Sequence, residues 1–170
     1  AVRMRNLQLE RIYSSNLQRA LQTANLINHF HQAEIITEPA LRELSFGKWE
    51  GKNWSEISLE YESFIPIWRS DRLNIPAPDG ESLNDLTDRL VNFGLQLETI
   101  NNQNIAIVTH EGVIKALVCL FLRLNPKFHS KFAFENCSIS QLLYLPDLKE
   151  YRIISLNESY HLETTDNPIS

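Results

Sequence analysis

The sequence predicts an α/β sandwich on a mostly parallel sheet with an antiparallel edge, and three observations lead to this fold class. Short apolar segments alternate with longer segments of helical periodicity along the chain. The segment "NIAIVTHEG" is typical of a strand covered on both faces of a parallel sheet, and a helix follows it directly. Near the carboxyl end, "SISQLLYL" and "YRIISL" flank "PDLKE", which predicts an antiparallel hairpin.

The first elements are a strand over residues 9–13 and a helix that follows it. Ser15 and Gln18, three residues apart, predict a capping box at the start of this helix. Apolar residues at helical spacing give the helix a buried stripe: Leu17, Leu21, Ala24 and Ile27. A second strand is predicted over "AEIIT".

The middle of the chain predicts two further helices separated by a loop. From residue 54 to 68 apolar residues recur at steps of three and four, which favours one helix with an aromatic face. We expect that face to lie in a core rather than to bind a cofactor. After the loop "NIPAPDGES", Ser82 with Asp85 at the third helical position caps a long helix that runs to about residue 100.

Composition sets limits on the protein's partners. The net charge is −5, and hydrophobic and charged residues make up 43% and 22% of the chain. These values are ordinary for a globular protein and give no basic face for a nucleic acid. The longest apolar run, "VIKALVCLFLRL", contains Lys115 and Arg123 and is well short of the ~20 residues that span a bilayer, so no membrane segment is expected. Two cysteines without ligand-like spacing predict reduced thiols and a cytoplasmic protein.

Polar residues follow two predicted strands where ligands bind in parallel sheets, beyond the carboxyl ends. One group is Ser14 and Ser15 with Arg19. A guanidinium near a helix start opposes the helix dipole, and a bound phosphate would correct this unfavourable placement. The alternative is an ion pair between Arg19 and a nearby carboxylate.

The other candidate chemical groups are an imidazole and a carboxyl. His110 ends a buried strand next to Gly112, where it is either a ligand-binding group or a hydrogen-bonded histidine at the sheet edge. Glu43 has apolar flanks, which favours a partly desolvated proton donor; a surface acid paired with Arg42 or Lys48 is equally compatible. No histidine or cysteine pattern suggests a metal ligand set, so neither a metal nor another cofactor is expected.

Four segments in order resemble the histidine phosphatase superfamily, the phosphoglycerate-mutase-like proteins. They are "IYSSNLQRALQTA", "LRELSFGKWEG", "PDGESL" and "IVTHEGVIKAL". The resemblance implies a three-layer α/β/α domain over residues 1–158, with residues 51–80 as a lid-like insertion and residues 159–170 as a polar tail. By position it also implies that Arg19 clamps phosphate, that Glu43 is the proton donor, and that His110 is the second active-site histidine.

One departure from the family pattern concerns the nucleophile. The family's nucleophile is the histidine of an Arg-His-Gly motif on a first, central strand, and this sequence contains no Arg-His-Gly. We therefore expect roughly 25–40 residues to precede Ala1 in the intact protein. The implied activity of that protein is hydrolysis of a small phosphate ester through a phosphohistidine. The alternatives are a pseudo-phosphatase that binds phosphorylated ligands, or a phosphoglycerate mutase. Without the central strand, exposed apolar surface would favour homo-oligomers.

Overall fold

The computed structural model describes residues 1–100 and 103–162, and its first sheet is parallel. Strand β1 (Arg11–Ser14) lies between β2 (Glu34–Thr37) and β3 (Ile105–Val108), in the order β2-β1-β3. Ser14 is in register with Thr37 on one side and with Val108 on the other. The carboxyl ends of all three strands therefore meet at one edge of the sheet.

Helices cover both faces of this sheet. Helix α1 (Gln18–Asn28) covers one face, and α4 (Leu83–Glu98) and α5 (Glu111–Phe121) cover the other, whereas α2 (Trp54–Glu60) and α3 (Ile65–Ser70) pack around Trp49. Ile12 packs with α1 in one hydrophobic cluster, whereas the next residue, Tyr13, packs with α4 and α5 in another. Because neighbouring side chains on a strand point to opposite faces, these two clusters are the two interfaces of a three-layer sandwich. The predicted fold class is confirmed.

The carboxyl-terminal hairpin is antiparallel, as predicted. Strands β4 (Ile139–Leu145) and β5 (Glu150–Glu158) pair with each other and form a two-stranded sheet of their own, rather than an edge of the parallel sheet. Most of the predicted polar tail, residues 163–170, lies outside the described residues; the part described includes a short 3₁₀ turn at Tyr160–Leu162.

The predicted start of the first helix is wrong. Helix α1 begins at Gln18, with Leu17 as its N-cap, and has no capping box. The Ser15 hydroxyl instead accepts the Leu17 N–H at 3.2 Å and lies 2.9 Å from the Nε2 of His110. A side chain held by these two groups forms a local turn in place of a helix cap. Arg19 therefore lies in the first turn of α1.

The single helix predicted over residues 54–68 is also wrong, because the chain forms α2 and α3 with a break between them. Pro66 has no N–H to donate and is tolerated only in the first turn of a helix, so a new helix begins just before it. Tyr61, Phe64 and Trp68 still share one core, whereas Trp54 is 47% exposed. Their rings surround Trp49, with centroid distances of 4.8 Å to Trp68 and 5.8 Å to Tyr61.

The cap predicted for α4 is confirmed. Ser82 accepts the Asp85 N–H at 3.1 Å, and the Asp85 carboxylate accepts the Ser82 N–H at 2.8 Å. This cap fixes the point where the 78–82 loop enters α4. The same loop holds the segment that carries Glu43.

Two glycines allow the segment after Glu43 to cross the 78–80 turn at close range. Gly47 has φ +50°, and a Cβ there would lie 2.2 Å from the Pro78 carbonyl oxygen. A Cβ on Gly80 would lie 2.6 Å from the Ser45 carbonyl oxygen. The crossing is tied by backbone hydrogen bonds from Lys48 to Pro78 and from Glu81 to Ser45, both 2.9 Å long.

We expect Gly47→Ala to lower the free energy of unfolding by more than about 3 kcal/mol, since the obstructing atoms are backbone and the left-handed φ adds strain. Gly51→Ala is the matched control: Gly51 also has positive φ (+79°), but nothing lies within 4 Å of its added Cβ. The control should cost only the strain, about 1–2 kcal/mol. Urea denaturation of both variants measures the difference. Equal losses of unfolding free energy would contradict the close crossing of the two segments at Gly47.

Candidate active site

The carboxyl ends of β1 and β3 bring Ser15 and His110 together. The Ser15 N–H donates to the Val108 carbonyl at 2.9 Å, which continues the pairing of these strands by one residue. His110 directly precedes α5 as its N-cap and is only 7% exposed; Ser15 is fully buried. The strand pairing therefore places the imidazole beside the start of α1.

Hydrogen bonds at both ring nitrogens define the state of His110. The Arg19 Nε donates to Nδ1 at 3.2 Å, and Nε2 lies 2.9 Å from the Ser15 hydroxyl oxygen. Because a guanidinium has no acceptor, Nδ1 must present a lone pair, and Nε2 then carries the proton and donates to Ser15. His110 is therefore neutral in this arrangement.

Electrostatics favour the same neutral state. Burial lowers the pKa of His110 to about 4, and the positive charges of Arg19 and Arg89 act in the same direction. The ring is therefore uncharged at neutral pH in the absence of a ligand.

Arg19 does not have the carboxylate partner that was the alternative interpretation of its position. Among the described residues, no Asp or Glu oxygen lies within 4 Å of its guanidinium nitrogens. Its Nε donates to a neutral ring, and the residue is exposed. The guanidinium therefore lies at the surface beside His110 with its charge uncompensated.

Glu43 lies against the first turn of α5. The Thr109 hydroxyl donates to the Leu41 carbonyl at 2.7 Å, which ties the segment before Glu43 to the end of β3. The half-buried Glu43 carboxylate accepts the Leu44 N–H at 2.9 Å. It also lies against Gly112, where an added Cβ would be 2.6 Å from its Oε1.

The alternative ion pairs of Glu43 are also not formed. Lys48 pairs with Asp79 at 3.0 Å, and within residues 1–100 and 103–162 no Lys, Arg or His nitrogen lies within 4 Å of the Glu43 carboxylate. The structure thus brings the three sequence-predicted residues to one place. Arg19 contacts His110, and Glu43 contacts Gly112 two residues further on.

Two helices begin at this place, which makes it suitable for an anion. The first N–H groups of α1 and of α5 have no partner within their own helices. Free N–H groups and the positive ends of helix dipoles bind phosphate-like anions, and the Arg19 guanidinium adds a planar fork of donors. Glu43 supplies a carboxyl that can exchange a proton with a group held there.

Sequence reasoning missed the contacts of three residues that shape the site. Ser15 was grouped with Arg19 but was also assigned to a helix cap, whereas its oxygen faces His110. Arg89 and Glu81 hold the backbone around Glu43 but belong to a helix and a loop without any local signal of that contact. Only their three-dimensional positions could have identified them.

In the part of the chain that the structure describes, no three His, Cys, Asp or Glu side chains are grouped so as to hold a metal ion. The helices within residues 1–100 and 103–162 are too short or too polar to cross a membrane.

Comparison with known proteins identifies the family. Residues 1–158 match the family model of the histidine phosphatase superfamily (branch 1). This chain belongs to the histidine phosphatase superfamily. Among solved structures, a mycobacterial glucosyl-3-phosphoglycerate phosphatase complexed with VO3 superposes with a TM-score of 0.81 at 24% identity, covering 93% of this chain and 81% of that one.

The chain spans about two thirds of the length of the curated relatives described next. Adenosylcobalamin/alpha-ribazole phosphatase of Salmonella typhimurium is 29% identical over 122 residues, which are 71% of this chain and 60% of that protein. Phosphoserine phosphatase 1 of Hydrogenobacter thermophilus is 28% identical over 158 residues, which are 91% of this chain and 72% of that protein. A third relative, from the same bacterium, is 31% identical, and the chain covers 64% of its length.

The depressed pKa of His110 makes stability depend on pH. Between pH about 4 and 6.5 the unfolded chain binds a proton at this histidine and the folded chain does not, so acid favours unfolding. We expect the His110 contribution to be fully present above pH 6.5 and to be lost as pH falls towards 4, by at most about 3 kcal/mol. Urea denaturation across this range should therefore give a steeper pH dependence for the wild type than for His110→Gln.

The control is His29→Gln, which removes an exposed histidine at the carboxyl end of α1. Because this variant keeps His110, its pH dependence should stay steeper than that of His110→Gln. Parallel curves for the wild type and His110→Gln would contradict a buried, neutral His110.

Proposed function

We propose that these residues form the phosphate-binding and proton-donating part of a phosphomonoester hydrolase that works through a phosphohistidine. The observation that carries the proposal is Arg19, whose guanidinium has no carboxylate partner among the described residues and donates instead to the neutral ring of His110. A cation in the first turn of a helix is unfavourable unless an anion binds there. A phosphoryl group satisfies the guanidinium and the free N–H groups together.

The reaction has two steps. In the first, a histidine nitrogen attacks phosphorus, the bond from phosphorus to the ester oxygen breaks, and Glu43 gives its proton to the departing oxygen. In the second, water attacks the phosphohistidine, Glu43 accepts a proton from that water, and phosphate leaves. Arg19 holds the phosphoryl oxygens throughout, and His110 does so once its Nδ1 carries a proton; a single preorganised donor of this kind is worth roughly 2.7–4 kcal/mol in a well-measured oxyanion site.

The nucleophile is the histidine of an Arg-His-Gly motif outside residues 1–170. This chain has five histidines and no Arg-His-Gly. Among the described residues, strand β3 pairs only with β1, and β4 pairs only with β5. A strand carrying the motif would pair with these sheets and place its histidine at the carboxyl edge, next to His110.

The substrate is a small phosphate ester. Relatives are named for phosphoserine and for a ribazole phosphate, and a phosphoglycerate mutase relationship is also compatible with the family. We propose a phosphatase in the cytoplasm rather than a mutase, with residues 51–80 acting as a lid over the organic part of the ester. The lid is shorter than expected for a mutase.

The direct test expresses these residues together with the coding sequence that precedes Ala1 and measures hydrolysis of an aryl phosphate. We expect activity that vanadate inhibits, and a loss of at least about 100-fold in His110→Ala because the imidazole that donates to the transferring group, once protonated at Nδ1, is removed. His161→Ala is the control, since the hydrogen bond of His161 to the Cys137 carbonyl lies near the end of the described residues and involves none of the three proposed site residues. Full activity in His110→Ala would remove His110 from the mechanism.

The same experiment tests the second candidate, a pseudo-phosphatase that binds phosphorylated ligands without turnover. It is favoured by the presence of the anion-binding groups in a sequence without the Arg-His-Gly motif. Phosphate binding that requires Arg19, together with no hydrolysis and no upstream Arg-His-Gly, would support it over the enzyme.

Gly112→Ala tests whether hydrolysis depends on the position of the Glu43 carboxyl. The added Cβ meets the Glu43 Oε1 at 2.6 Å, and a flexible side-chain end can move away cheaply. We expect the free energy of unfolding to stay within about 1 kcal/mol of the wild type, because alanine suits a helix. Hydrolysis of an alkyl phosphate should fall at least about tenfold, because the proton donor is displaced.

Gly94→Ala is the matched control in a helix. Its added Cβ would lie 3.1 Å from a Leu120 side-chain atom, at the opposite end of α5 from the site. Activity should be kept in this variant. Equal activity losses in both glycine variants would contradict the assignment of Glu43.

A further inference from the structure

The backbone on either side of Glu43 is held by one arginine on α4. The half-buried Arg89 donates to the Arg42 carbonyl at 2.6 Å and to the Glu43 carbonyl at 3.4 Å through the same terminal nitrogen. Its other terminal nitrogen donates to the Ala40 carbonyl. One planar side chain thus binds three carbonyls within four residues of chain.

Glu81 completes this contact from the loop before α4. Its carboxylate accepts from the Arg89 Nε at 2.8 Å and, at 3.2 Å, from the same terminal nitrogen that contacts the Arg42 and Glu43 carbonyls. The same carboxylate accepts the Ser45 N–H at 2.9 Å. The ion pair therefore fixes carbonyl groups before and at Glu43 and an N–H group after it.

The carboxyl of Glu43 is confined on its far side by α5. Gly112 contacts it, and the buried His129 donates through Nε2 to the Gly112 carbonyl at 3.1 Å. A displacement of the 40–45 backbone would therefore shift the Glu43 carboxyl relative to the first turn of α5. Small displacements of this kind have large effects on proton transfer, which requires hydrogen-bond geometry.

We propose that Arg89 and Glu81 are positioning residues that hold Glu43 where it protonates the leaving group. This inference rests on the proposed function for the role of Glu43. Neither residue needs to touch the substrate, because they act on the backbone that carries the carboxyl. Lysine cannot replace Arg89, since a single ammonium lacks the planar set of donors that reaches all these groups at once.

The variants are Arg89→Lys, which keeps the charge and removes the fork, and Glu81→Gln, which removes the negative charge and keeps the shape. The control is Arg123→Lys. Arg123 also donates to a backbone carbonyl, that of Lys149 at 2.9 Å, but it lies beyond the carboxyl end of α5. All are made in the protein expressed with the coding sequence that precedes Ala1.

The kinetic test compares two esters that differ in leaving group. A p-nitrophenyl ester releases a stabilised anion and needs little help from an acid, whereas an alkyl ester needs its oxygen protonated. We expect kcat/KM for the alkyl ester to fall at least about tenfold more than kcat/KM for the aryl ester in Arg89→Lys, and the same ratio to change in Glu81→Gln. Equal losses for both esters, or no loss, would overturn the positioning role.

A second measurement works even if the protein hydrolyses nothing. Hydrogen exchange monitored by NMR should show faster exchange of the Ser45 and Leu44 amides in Arg89→Lys, with no change in the Arg123→Lys control. Unchanged exchange at Ser45 and Leu44 would overturn the inference by itself. Absence of hydrolysis with faster exchange would instead count against the proposed function. It would still support the inference that Arg89 and Glu81 hold the backbone around Glu43.

Discussion

The hydrogen bond from Arg19 to His110 is the contact on which the site depends. It joins the first turn of α1 to the end of β3, across residues 91 positions apart in sequence. It exists because the parallel pairing of β1 with β3 ends both strands at one level. It also leaves a guanidinium in a place where the helix dipole disfavours positive charge, so the unliganded protein retains an unfavourable charge arrangement beside a neutral ring.

The carboxyl side of the site depends on backbone crossings rather than on a strand end. The segment that carries Glu43 runs over the 78–80 turn at distances that allow no side chain at Gly47 or Gly80. The Arg89–Glu81 pair then fixes the same segment against α4. Strand pairing thus positions the imidazole, whereas backbone crossings and an ion pair position the carboxyl. Both groups lie at the first turn of α5.

The elements that sequence reasoning predicted well depend on nearby residues. The cap of α4 is formed by side chains three positions apart, and the strands follow from short apolar runs. The start of α1 was misplaced because the Ser15 hydroxyl faces His110, 95 residues away, which no local rule describes. The Arg89 contact with Ala40 spans 49 residues and had no local signal either. The break at Pro66 was the one error that a local rule could have prevented.

The hydrogen bonds of the His110 ring determine which ionic form of a phosphoryl ligand can bind beside it without a further proton. Nε2 gives its hydrogen to Ser15, and Nδ1 offers only a lone pair. An incoming oxyanion that replaces Arg19 at Nδ1 therefore meets electron density instead of a donor, unless a hydrogen arrives with it. A monoprotonated phosphoryl group brings that hydrogen itself, whereas a fully ionised one must recruit it from solvent. Binding of a fully ionised phosphoryl group beside His110 and uptake of a proton from the medium are thereby linked.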